Sequence, residues 1–228
     1  MNKTAIITGA GGALGKEVAK KFLGEGFNVE AIVHKSHVGE EKPFGYNENV
    51  CNLISENETQ QTLKNIFARR QEINVAVLTA GGFAAGDILE TNSKQVLEQI
   101  NLNFLTAFNI AVPIFKKMLE QNNGRIFFIG SKPGLNVAKG TNSFAYALSK
   151  SLLFRLAEGL NAKAKNKNVV TNIIIPSVID TPQNRKAMPN ENFSEWVKPS
   201  VIADIILSYS SEKFDDVREP LIKIYNNS

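Results

Sequence analysis

A glycine-rich stretch near the start of the chain has the composition of a loop that binds phosphate. The sequence TGAGGALG (8–15) separates an apolar run from a lysine-rich helical pattern. A helix N-terminus offers free N–H groups and a partial positive charge, and glycine lets the backbone approach a ligand because it has no Cβ. The stretch lacks the Gly-Lys-Ser/Thr of a P-loop, and Leu14 occupies the last glycine position of G-x-G-x-x-G. The pattern T-G-x-x-x-A-x-G therefore indicates a phosphate site of another type, with glycines at Gly9, Gly11, Gly12 and Gly15.

A tyrosine and a lysine further along the chain have a spacing that suits a shared site. In YALSK (146–150), Tyr146 and Lys150 lie one helical turn apart on the same face. Ser131 ends the apolar run before this helix, and TAGG (79–82) is a second glycine turn that follows another apolar run. Each feature alone is common by chance. Their combination predicts that a phenol, an ammonium group and a hydroxyl lie beside the glycine loop.

Apolar runs alternate with helical patterns along the whole chain, which is typical of a parallel sheet with helices on both faces. The predicted strands cover residues 4–8, 28–34, 48–53, 73–80, 125–131, 168–177 and 221–225. The predicted helices cover residues 12–24, 56–70, 92–121, 142–166 and 199–210. We therefore predict an α/β fold, namely a Rossmann-like, doubly wound, mainly parallel seven-stranded sheet in a single domain over 1–228. In such sheets, ligands bind beyond the carboxyl ends of the strands where the strand order reverses.

Composition and charge exclude several other classes of protein. The 228 residues are 43% hydrophobic, enough for one sizeable core, and the net charge of +4 comes from scattered basic residues rather than a nucleic-acid-binding stripe. Cys51 is the single cysteine, so no internal disulfide forms. His34 and His37 are the only histidines, and no zinc-binding pattern accompanies them. No apolar stretch is long enough to span a membrane and no signal peptide is evident, so a cytoplasmic protein is expected.

The motifs, taken in their order along the chain, resemble those of the short-chain dehydrogenase/reductase family. The resemblance covers nearly the whole chain. Two residues depart from the family pattern, because Ala13 and Ser177 stand where glycine is usual. Ala13, AGG (80–82) and DTPQNRKAMP (180–189) also resemble the dihydropteridine reductase branch. The residues that match the family are TGAGGALG (8–15), TAGG (79–82), Asn103, Ser131, YALSK (146–150) and PSVIDT (176–181).

The resemblance implies an enzyme that moves a hydride between a nicotinamide cofactor and a carbonyl or alcohol carbon. It assigns Tyr146 as the general acid/base. The pKa of an unperturbed tyrosine is about 10, and a nearby ammonium group favours the phenolate. Lys150 is therefore expected to lower the pKa of Tyr146, and the resemblance also assigns it a contact with the nicotinamide ribose.

Two further catalytic assignments follow from the resemblance, each with a rival. Ser131 is expected to hydrogen-bond the substrate oxygen, although it precedes Tyr146 by 15 residues, a longer spacing than the family usually has. Ser143 is the second candidate for that role. Asn103 matches the helix asparagine that organises a water toward the lysine, and Asn101 is its rival.

The residues after the second predicted strand favour NADP(H). NAD-dependent members place a carboxylate near the end of that strand to accept the ribose 2′-hydroxyl. Val33 occupies that position here, and Glu30 lies too early in the strand. A cation and a hydroxyl suit a 2′-phosphate, so Lys35 and Ser36 favour NADP(H), with NAD(H) as the alternative. The expected cofactor contacts are Gly9, Gly11, Gly12, Ala13, Leu14, Gly15, His34, Lys35, Asn52, Leu53, Ala80, Gly81, Gly82, Tyr146, Lys150, Pro176, Ile179 and Thr181.

The favoured function is an NADP(H)-dependent oxidoreductase acting on a small carbonyl or alcohol substrate. Two alternatives stay open, a dihydropteridine reductase-like enzyme acting on a quinonoid ring and a non-catalytic NADP-binding regulator. Residues 180–198 are predicted to be irregular and to form a lid over the substrate, with an apolar wall of Met188, Phe193 and Trp196. Relatives pair through the two long helices, so a homodimer or homotetramer is expected.

Overall fold

The computed structural model describes residues 2–36, 41–218 and 220–226. Its strands are β1 (Thr4–Thr8), β2 (Asn28–Val33), β3 (Tyr46–Val50), β4 (Val75–Leu78), β5 (Asn123–Ile129), β6 (Asn168–Pro176) and β7 (Leu221–Ile224). Within the described residues these seven strands form one sheet in the order β3-β2-β1-β4-β5-β6-β7, and every pairing is parallel. The predicted doubly wound sheet is confirmed, and its strand order reverses between β1 and β4.

Helices cover both faces of the sheet because its central strands are apolar on both sides. The helices are α1 (Ala13–Gly24), α2 (Glu56–Arg69), α3 (Ser93–Ile100), α4 (Thr106–Gln121), α5 (Lys132–Leu135), α6 (Phe144–Lys163), α7 (Pro182–Ala187) and α8 (Pro199–Tyr209). Phe127 and Phe128 in β5 are both fully buried and point to opposite faces. Phe128 belongs to the core under α2, α4 and α6, whereas Phe127 belongs to the core under α1 and α8. No helix of the described residues is both long and apolar enough to cross a membrane.

The third strand and the long central helix differ from their predicted bounds. The third strand was expected at 48–53 and lies at Tyr46–Val50. It is an edge strand that contains polar residues, so a search for continuous apolar runs does not locate it correctly. The helix expected over 92–121 is interrupted by a π-helical turn at Asn101–Leu105, which separates α3 from α4. This wider turn lies directly beside the end of β4.

The segment predicted to be irregular at 180–198 contains regular structure. Thr181 accepts a hydrogen bond from the Asn184 N–H at 3.1 Å, and Pro182 takes the first helical position, so α7 begins there. A short 3₁₀ turn follows at Phe193–Glu195. Proline thus starts a helix here rather than preventing one, which is its usual role at the first position.

The connection between β2 and β3 contains no helix in its described parts, 34–36 and 41–45. A parallel crossover usually carries a helix that packs on the sheet. Within the described residues, α1 is the helix that packs against β2 on this face of the sheet.

A buried carboxylate ties β2 to the end of α2. Glu30 is fully buried and accepts hydrogen bonds from Arg69, Arg70 and Asn49. Burial by itself raises the pKa of Glu30, but the hydrogen bonds from the two guanidinium groups and the Asn49 amide outweigh it, so the pKa lies below its ordinary value. The carboxylate therefore stays ionised, and it holds α2 against the sheet.

Replacing Glu30 with glutamine is expected to lower the free energy of unfolding by about 2–3 kcal/mol at pH 7, because two guanidinium groups lose a buried partner. The stability that ionised Glu30 gives the wild type is fully present above the pKa of about 4.3 that this carboxyl group has in the unfolded chain. It is lost as the pH falls through the lower pKa of Glu30 in the folded protein. Urea unfolding at pH 7 and in acid checks both points. Glu72→Gln, on an exposed loop, is the matched control; equal stability of the two variants at pH 7 would contradict the assignment.

Candidate active site

The loops after β1 and β4 are joined by direct hydrogen bonds. The Thr79 hydroxyl donates to the Thr8 carbonyl oxygen at 2.7 Å, and the Ala80 N–H donates to the Thr8 hydroxyl at 3.2 Å. Gly9 has φ +61°, and a Cβ there would lie 2.8 Å from Thr79 Oγ1. A Cβ at Gly15 would overlap the Gly9 carbonyl oxygen. Two glycines of the predicted loop are therefore required by the close approach of the backbone.

The start of α1 can hold a phosphate group. The helix begins at Ala13, and no side chain of the described residues caps its N-terminus, where Gly12 is the cap residue. Gly12 and Ala13 are exposed, whereas Leu14 packs into the core. The first N–H groups of α1 therefore have no side-chain partner among the described residues and are available to an anion, and exposed Ala13 adds only a methyl group there. The residues fit the diphosphate of a dinucleotide.

Ser131 and Tyr146 meet at the carboxyl edge of the sheet. The Ser131 side chain lies close enough to the Tyr146 hydroxyl to influence its pKa. Ser131 Oγ also accepts a hydrogen bond from the Gly134 N–H at 3.0 Å and so caps α5. Ser143, the second candidate, is the residue before α6 and is buried. The structure brings Ser131, rather than Ser143, to the tyrosine hydroxyl.

The long segment between Ser131 and Tyr146 folds against α6 instead of looping outward. It forms α5 and a 3₁₀ turn at Val137–Gly140. Gly134 lies against the base of Lys150, since a Cβ there would come within 2.7 Å of Lys150 Cβ. The extra residues are thus absorbed in compact turns, and the spacing does not separate the serine from the tyrosine.

Lys150 is buried beside the tyrosine ring. The residue is 7% exposed, and its ammonium group donates a hydrogen bond to the Ile129 carbonyl oxygen at 2.8 Å. Burial lowers the pKa of Lys150 to about 8. The Lys150 nitrogen lies 5.9 Å from the centroid of the Tyr146 ring.

The expected lowering of the Tyr146 pKa is wrong for this arrangement. Burial raises the pKa of Tyr146, and the nearby Ser131 side chain only partly opposes that effect, so the pKa lies above its ordinary value. The reason is geometric, because the Lys150 ammonium points to the Ile129 carbonyl and lies beside the ring rather than against the hydroxyl. The phenol is therefore protonated at neutral pH.

Asn103 joins the loop after β4 to the catalytic helix. It is 1% exposed, its Oδ1 accepts from the Gly82 N–H at 3.0 Å, and its Nδ2 donates to the Gly82 carbonyl oxygen at 3.0 Å. The same Nδ2 donates to Gln99 Oε1 at 3.1 Å and to Ser149 Oγ at 3.2 Å. A Cβ at Gly81, which has φ +157°, would lie 2.5 Å from Asn103 Oδ1. Gln99 and Ser149 were missed from the sequence, since nothing in their spacing points to an amide 46 residues away from Ser149.

The other predicted cofactor residues line the same edge of the sheet. His34 and Lys35 are exposed directly after β2, and Pro176 ends β6. Asn52 folds its side chain back to the Ile54 N–H at 3.2 Å, which makes a turn after β3, and Leu53 is buried. The assignment of these residues as cofactor contacts stays a prediction.

The segment after β6 is held in place by backbone and side-chain hydrogen bonds within it. Ile179 forms a parallel bridge with Val197, and its carbonyl oxygen accepts from the Asn184 side chain at 2.8 Å. Trp196 is 5% exposed and its ring lies 4.8 Å from the Phe193 ring in a tilted arrangement, so it belongs to the core rather than to an open wall. Met188 and Phe193 are partly exposed. The lid assignment for 180–198 stays a prediction.

Phe83 forms an exposed aromatic surface at the cleft. Its side chain is 67% exposed, and its ring lies 5.0 Å from the Tyr146 ring in an edge-on arrangement. A flat apolar ring so close to the tyrosine offers a stacking surface to a bound molecule.

Among the described residues, no group of three or more His, Cys, Asp or Glu side chains could hold a metal ion, and His37 lies outside the described residues.

Comparison with known proteins identifies the family. The family model described as short chain dehydrogenase matches residues 3–192, which is most of the chain. The chain belongs to the short-chain dehydrogenase family. It is therefore an NAD(P)-dependent oxidoreductase, as its relatives among the reductases also indicate.

Curated relatives of this dehydrogenase cover nearly its full length at low identity. Dihydropteridine reductase of Dictyostelium discoideum is 27% identical over 214 residues, covering 92% of this chain and 89% of that protein. The 3-oxoacyl-acyl-carrier-protein reductase of Buchnera aphidicola subsp. Acyrthosiphon pisum is 25% identical over 226 residues, covering 92% and 91%. The two differ in substrate, so the family alone does not define the substrate of this short-chain dehydrogenase.

Solved structures share the fold of this short-chain dehydrogenase. The structure of ElxO with NADP bound has a TM-score of 0.89 at 21% identity and covers 98% of this chain and 97% of its own. Ligand-free aldohexose dehydrogenase of Thermoplasma acidophilum has a TM-score of 0.86 at 22% identity, covering 98% and 92%. The Rossmann-like architecture is thus that of known short-chain dehydrogenases.

Replacing Lys150 with methionine is expected to stabilise the fold while removing catalysis, because a buried ammonium group opposes folding. The free energy of unfolding should rise by about 1–2 kcal/mol at pH 7. The gain should shrink as the pH rises from 8 toward 10, where the wild-type lysine loses its proton in the folded state before the unfolded one. Urea unfolding across this pH range measures it. Lys163→Met, exposed on the same helix, is the control, and a less stable Lys150→Met would contradict the argument.

Replacing Gln99 with leucine is expected to lower kcat about tenfold, because the Asn103 amide loses one acceptor and the Gly82 loop is no longer held in one position. Gln99→Glu keeps an acceptor oxygen and should restore most of the rate. Steady-state kinetics separate kcat from the KM for cofactor, which a loosened Gly82 loop should raise. Gln60→Leu on the exposed face of α2 makes the same chemical change as a control. A rate unchanged in Gln99→Leu would exclude a positioning role.

Proposed function

We propose that this short-chain dehydrogenase transfers a hydride between NADP(H) and a small carbonyl or alcohol substrate. The observation that carries the proposal is that the Ser131 and Tyr146 side chains lie together beside the buried Lys150, at the carboxyl edge of the sheet. The bound nicotinamide supplies or accepts the hydride. The backbone at the start of α1 would hold the diphosphate, with Gly81 and Gly82 beside it on the neighbouring loop.

Tyr146 and Ser131 act on the substrate oxygen in this proposal. Because burial keeps the pKa of Tyr146 above its ordinary value, the phenol carries its proton at neutral pH and can donate it as negative charge develops on that oxygen. Ser131 Oγ accepts a hydrogen bond from the Gly134 N–H, so its one hydroxyl hydrogen is available to the Tyr146 oxygen or to the substrate oxygen. Lys150, buried beside the tyrosine ring, is assigned the contact with the nicotinamide ribose in this proposal.

NADP(H) is proposed over NAD(H) on the residues that follow β2. That strand offers no carboxylate at its carboxyl end, where Val33 is buried, and exposed Lys35 suits a 2′-phosphate. The structural neighbour ElxO, solved with NADP bound, supports the proposal. Tighter binding of NADH than of NADPH, measured by calorimetry, would contradict it.

A second candidate is a dihydropteridine reductase-like enzyme that acts on a quinonoid ring. It is favoured by Phe83, whose exposed ring beside Tyr146 could stack on a flat substrate, and by the similarity to the Dictyostelium discoideum enzyme. NADPH oxidation with aldehydes, ketones, quinones and quinonoid dihydropterin compares the two candidates. If turnover is confined to the pterin and Phe83→Ala removes it, the second candidate replaces the first.

We also propose that two chains pair through α4 and α6, as relatives in this family commonly do. Phe108 on α4 is 40% exposed and Leu97 on α3 is 59% exposed, which is unusual for large apolar side chains. Sedimentation equilibrium tests the pairing.

We also propose that residues 180–198 form a lid over the substrate. Hydrogen exchange in this segment that is unchanged by cofactor and substrate would contradict the lid.

Replacing Tyr146 with phenylalanine is expected to lower kcat by at least about 10³-fold, since the proton donor is lost, while the Kd for NADPH changes little. Calorimetry measures cofactor binding and NADPH absorbance measures turnover on the best substrate of the panel. Tyr209→Phe, which keeps a ring stacked on Phe214, is the control. Turnover that survives in Tyr146→Phe would refute the mechanism, and NADPH binding without any turnover in the wild type would instead support a regulator.

A further inference from the structure

A cavity opens beside the glycine loop, between α1 and the described end of the β2–β3 connection. It has a volume of about 510 Å³ and runs from Ala10 and Gly11 along α1, with residues 41–44 of that connection and β3 as its other wall. Lys16 and Lys20, one turn apart on α1, lie on one side, and Lys42 and Glu48 lie on the other. The cavity is therefore continuous with the loop that fits a dinucleotide diphosphate.

Glu48 brings a carboxylate to this cavity from the neighbouring strand. It lies in the middle of β3, opposite Ala31 of β2, and its side chain is 7% exposed. Tyr46 points to the same face and packs against the core under α1, which fixes the side of the sheet that Glu48 faces. A search for acids along β2 misses this residue because strand pairing, not sequence proximity, delivers it.

Within the described residues, Glu48 contacts Ser36 shortly after β2 and Lys42 shortly before β3. Its Oε1 accepts a hydrogen bond from the Ser36 hydroxyl at 2.7 Å and pairs with the Lys42 ammonium at 2.7 Å. The Ala10 N–H donates to the Ile32 carbonyl oxygen at 3.3 Å, so the glycine loop and this strand end are neighbours. The Ser36 hydroxyl, expected to serve a 2′-phosphate, is thus directed at a carboxylate. The charges meet where the family binds the adenosine ribose.

The two members of the ion pair act in opposite directions on a dinucleotide. A carboxylate repels a 2′-phosphate and accepts a hydrogen bond from a 2′-hydroxyl, whereas an ammonium group attracts the phosphate. Lys16 and Lys20 add positive charge along the same cavity. Glu41 is a second carboxylate in the lining, and with Lys42 paired to Glu48 the three lysines still outnumber the two carboxylates, so the phosphate meets a net positive wall.

We propose that the ion pair between Glu48 and Lys42 sets the selectivity of this enzyme between NADPH and NADH. The inference rests on the proposed function only in requiring that a dinucleotide bind at the glycine loop. Lys42 screens the carboxylate and admits the 2′-phosphate, and Glu48 limits how strongly the phosphorylated cofactor is preferred. Selectivity thereby resides in a residue of β3 and a residue of the connection before it, rather than in the end of β2 alone.

The test measures the Kd of NADPH and of NADH by calorimetry for the wild type, Glu48→Gln and Lys42→Met. Glu48→Gln should raise the ratio of the NADH Kd to the NADPH Kd about five- to tenfold, because one negative charge beside the phosphate is removed. Lys42→Met should lower that ratio by about the same factor, because a positive charge that attracts the phosphate and offsets the carboxylate is removed. The double variant should return toward the wild-type ratio.

A matched control separates this local effect from a change in the overall charge. Lys21 forms a similar pair with Asp204 on the opposite side of α1, so Lys21→Met should leave the ratio unchanged. If Glu48→Gln does not fold, Lys42→Met at an exposed site and the control still give the answer. Wild-type binding with ratios unchanged within about twofold in both single variants would overturn the inference while leaving the proposed function intact. Failure of the wild type to bind either dinucleotide would overturn both.

Discussion

The site depends on one buried amide that joins three segments of the chain. Asn103 holds the backbone of Gly82 through both its oxygen and its nitrogen, and the same nitrogen reaches Gln99 and Ser149. Ser149 in turn donates to the Tyr146 carbonyl oxygen at 2.8 Å. The separation between the second glycine turn and the catalytic helix is thus set by directed hydrogen bonds. The π-helical turn belongs to this arrangement, since it is the part of the chain from which the amide projects.

Buried charged side chains have different partners at the candidate site and elsewhere in the fold. Glu30 has two guanidinium partners, and Arg125, which is 4% exposed, pairs with Asp215. Within the part of the chain that the structure describes, Lys150 donates to a neutral carbonyl oxygen and forms no ion pair, and burial lowers its pKa. Glu30 and Arg125 each have an oppositely charged partner. Lys150 has none among the described residues, and the surrounding sheet and helices keep it buried. Such local instability is typical of a site whose groups must interact with a ligand.

Much of the fold followed from periodicity, because buried parallel strands are continuous apolar runs and their helices have an apolar face. The glycine loop and the pair of Tyr146 and Lys150 were found for the same reason, since local spacing encodes them. The polar edge strand β3 was misplaced, as its alternation is weak. Gln99, Ser149 and Glu48 were missed because their partners come from other elements of the fold. The pKa of Tyr146 was predicted in the wrong direction, because burial and side-chain orientation cannot be read from spacing.

Trp196 is the single tryptophan of the chain, and its place gives the protein an internal optical reporter. The indole is almost fully enclosed, it touches Phe193, and the next residue forms the bridge to Ile179. Its emission therefore comes from one known location, on the segment that borders the cleft, with no second indole to dilute the signal. Rearrangement of that segment can be followed by intrinsic fluorescence in the unlabelled protein.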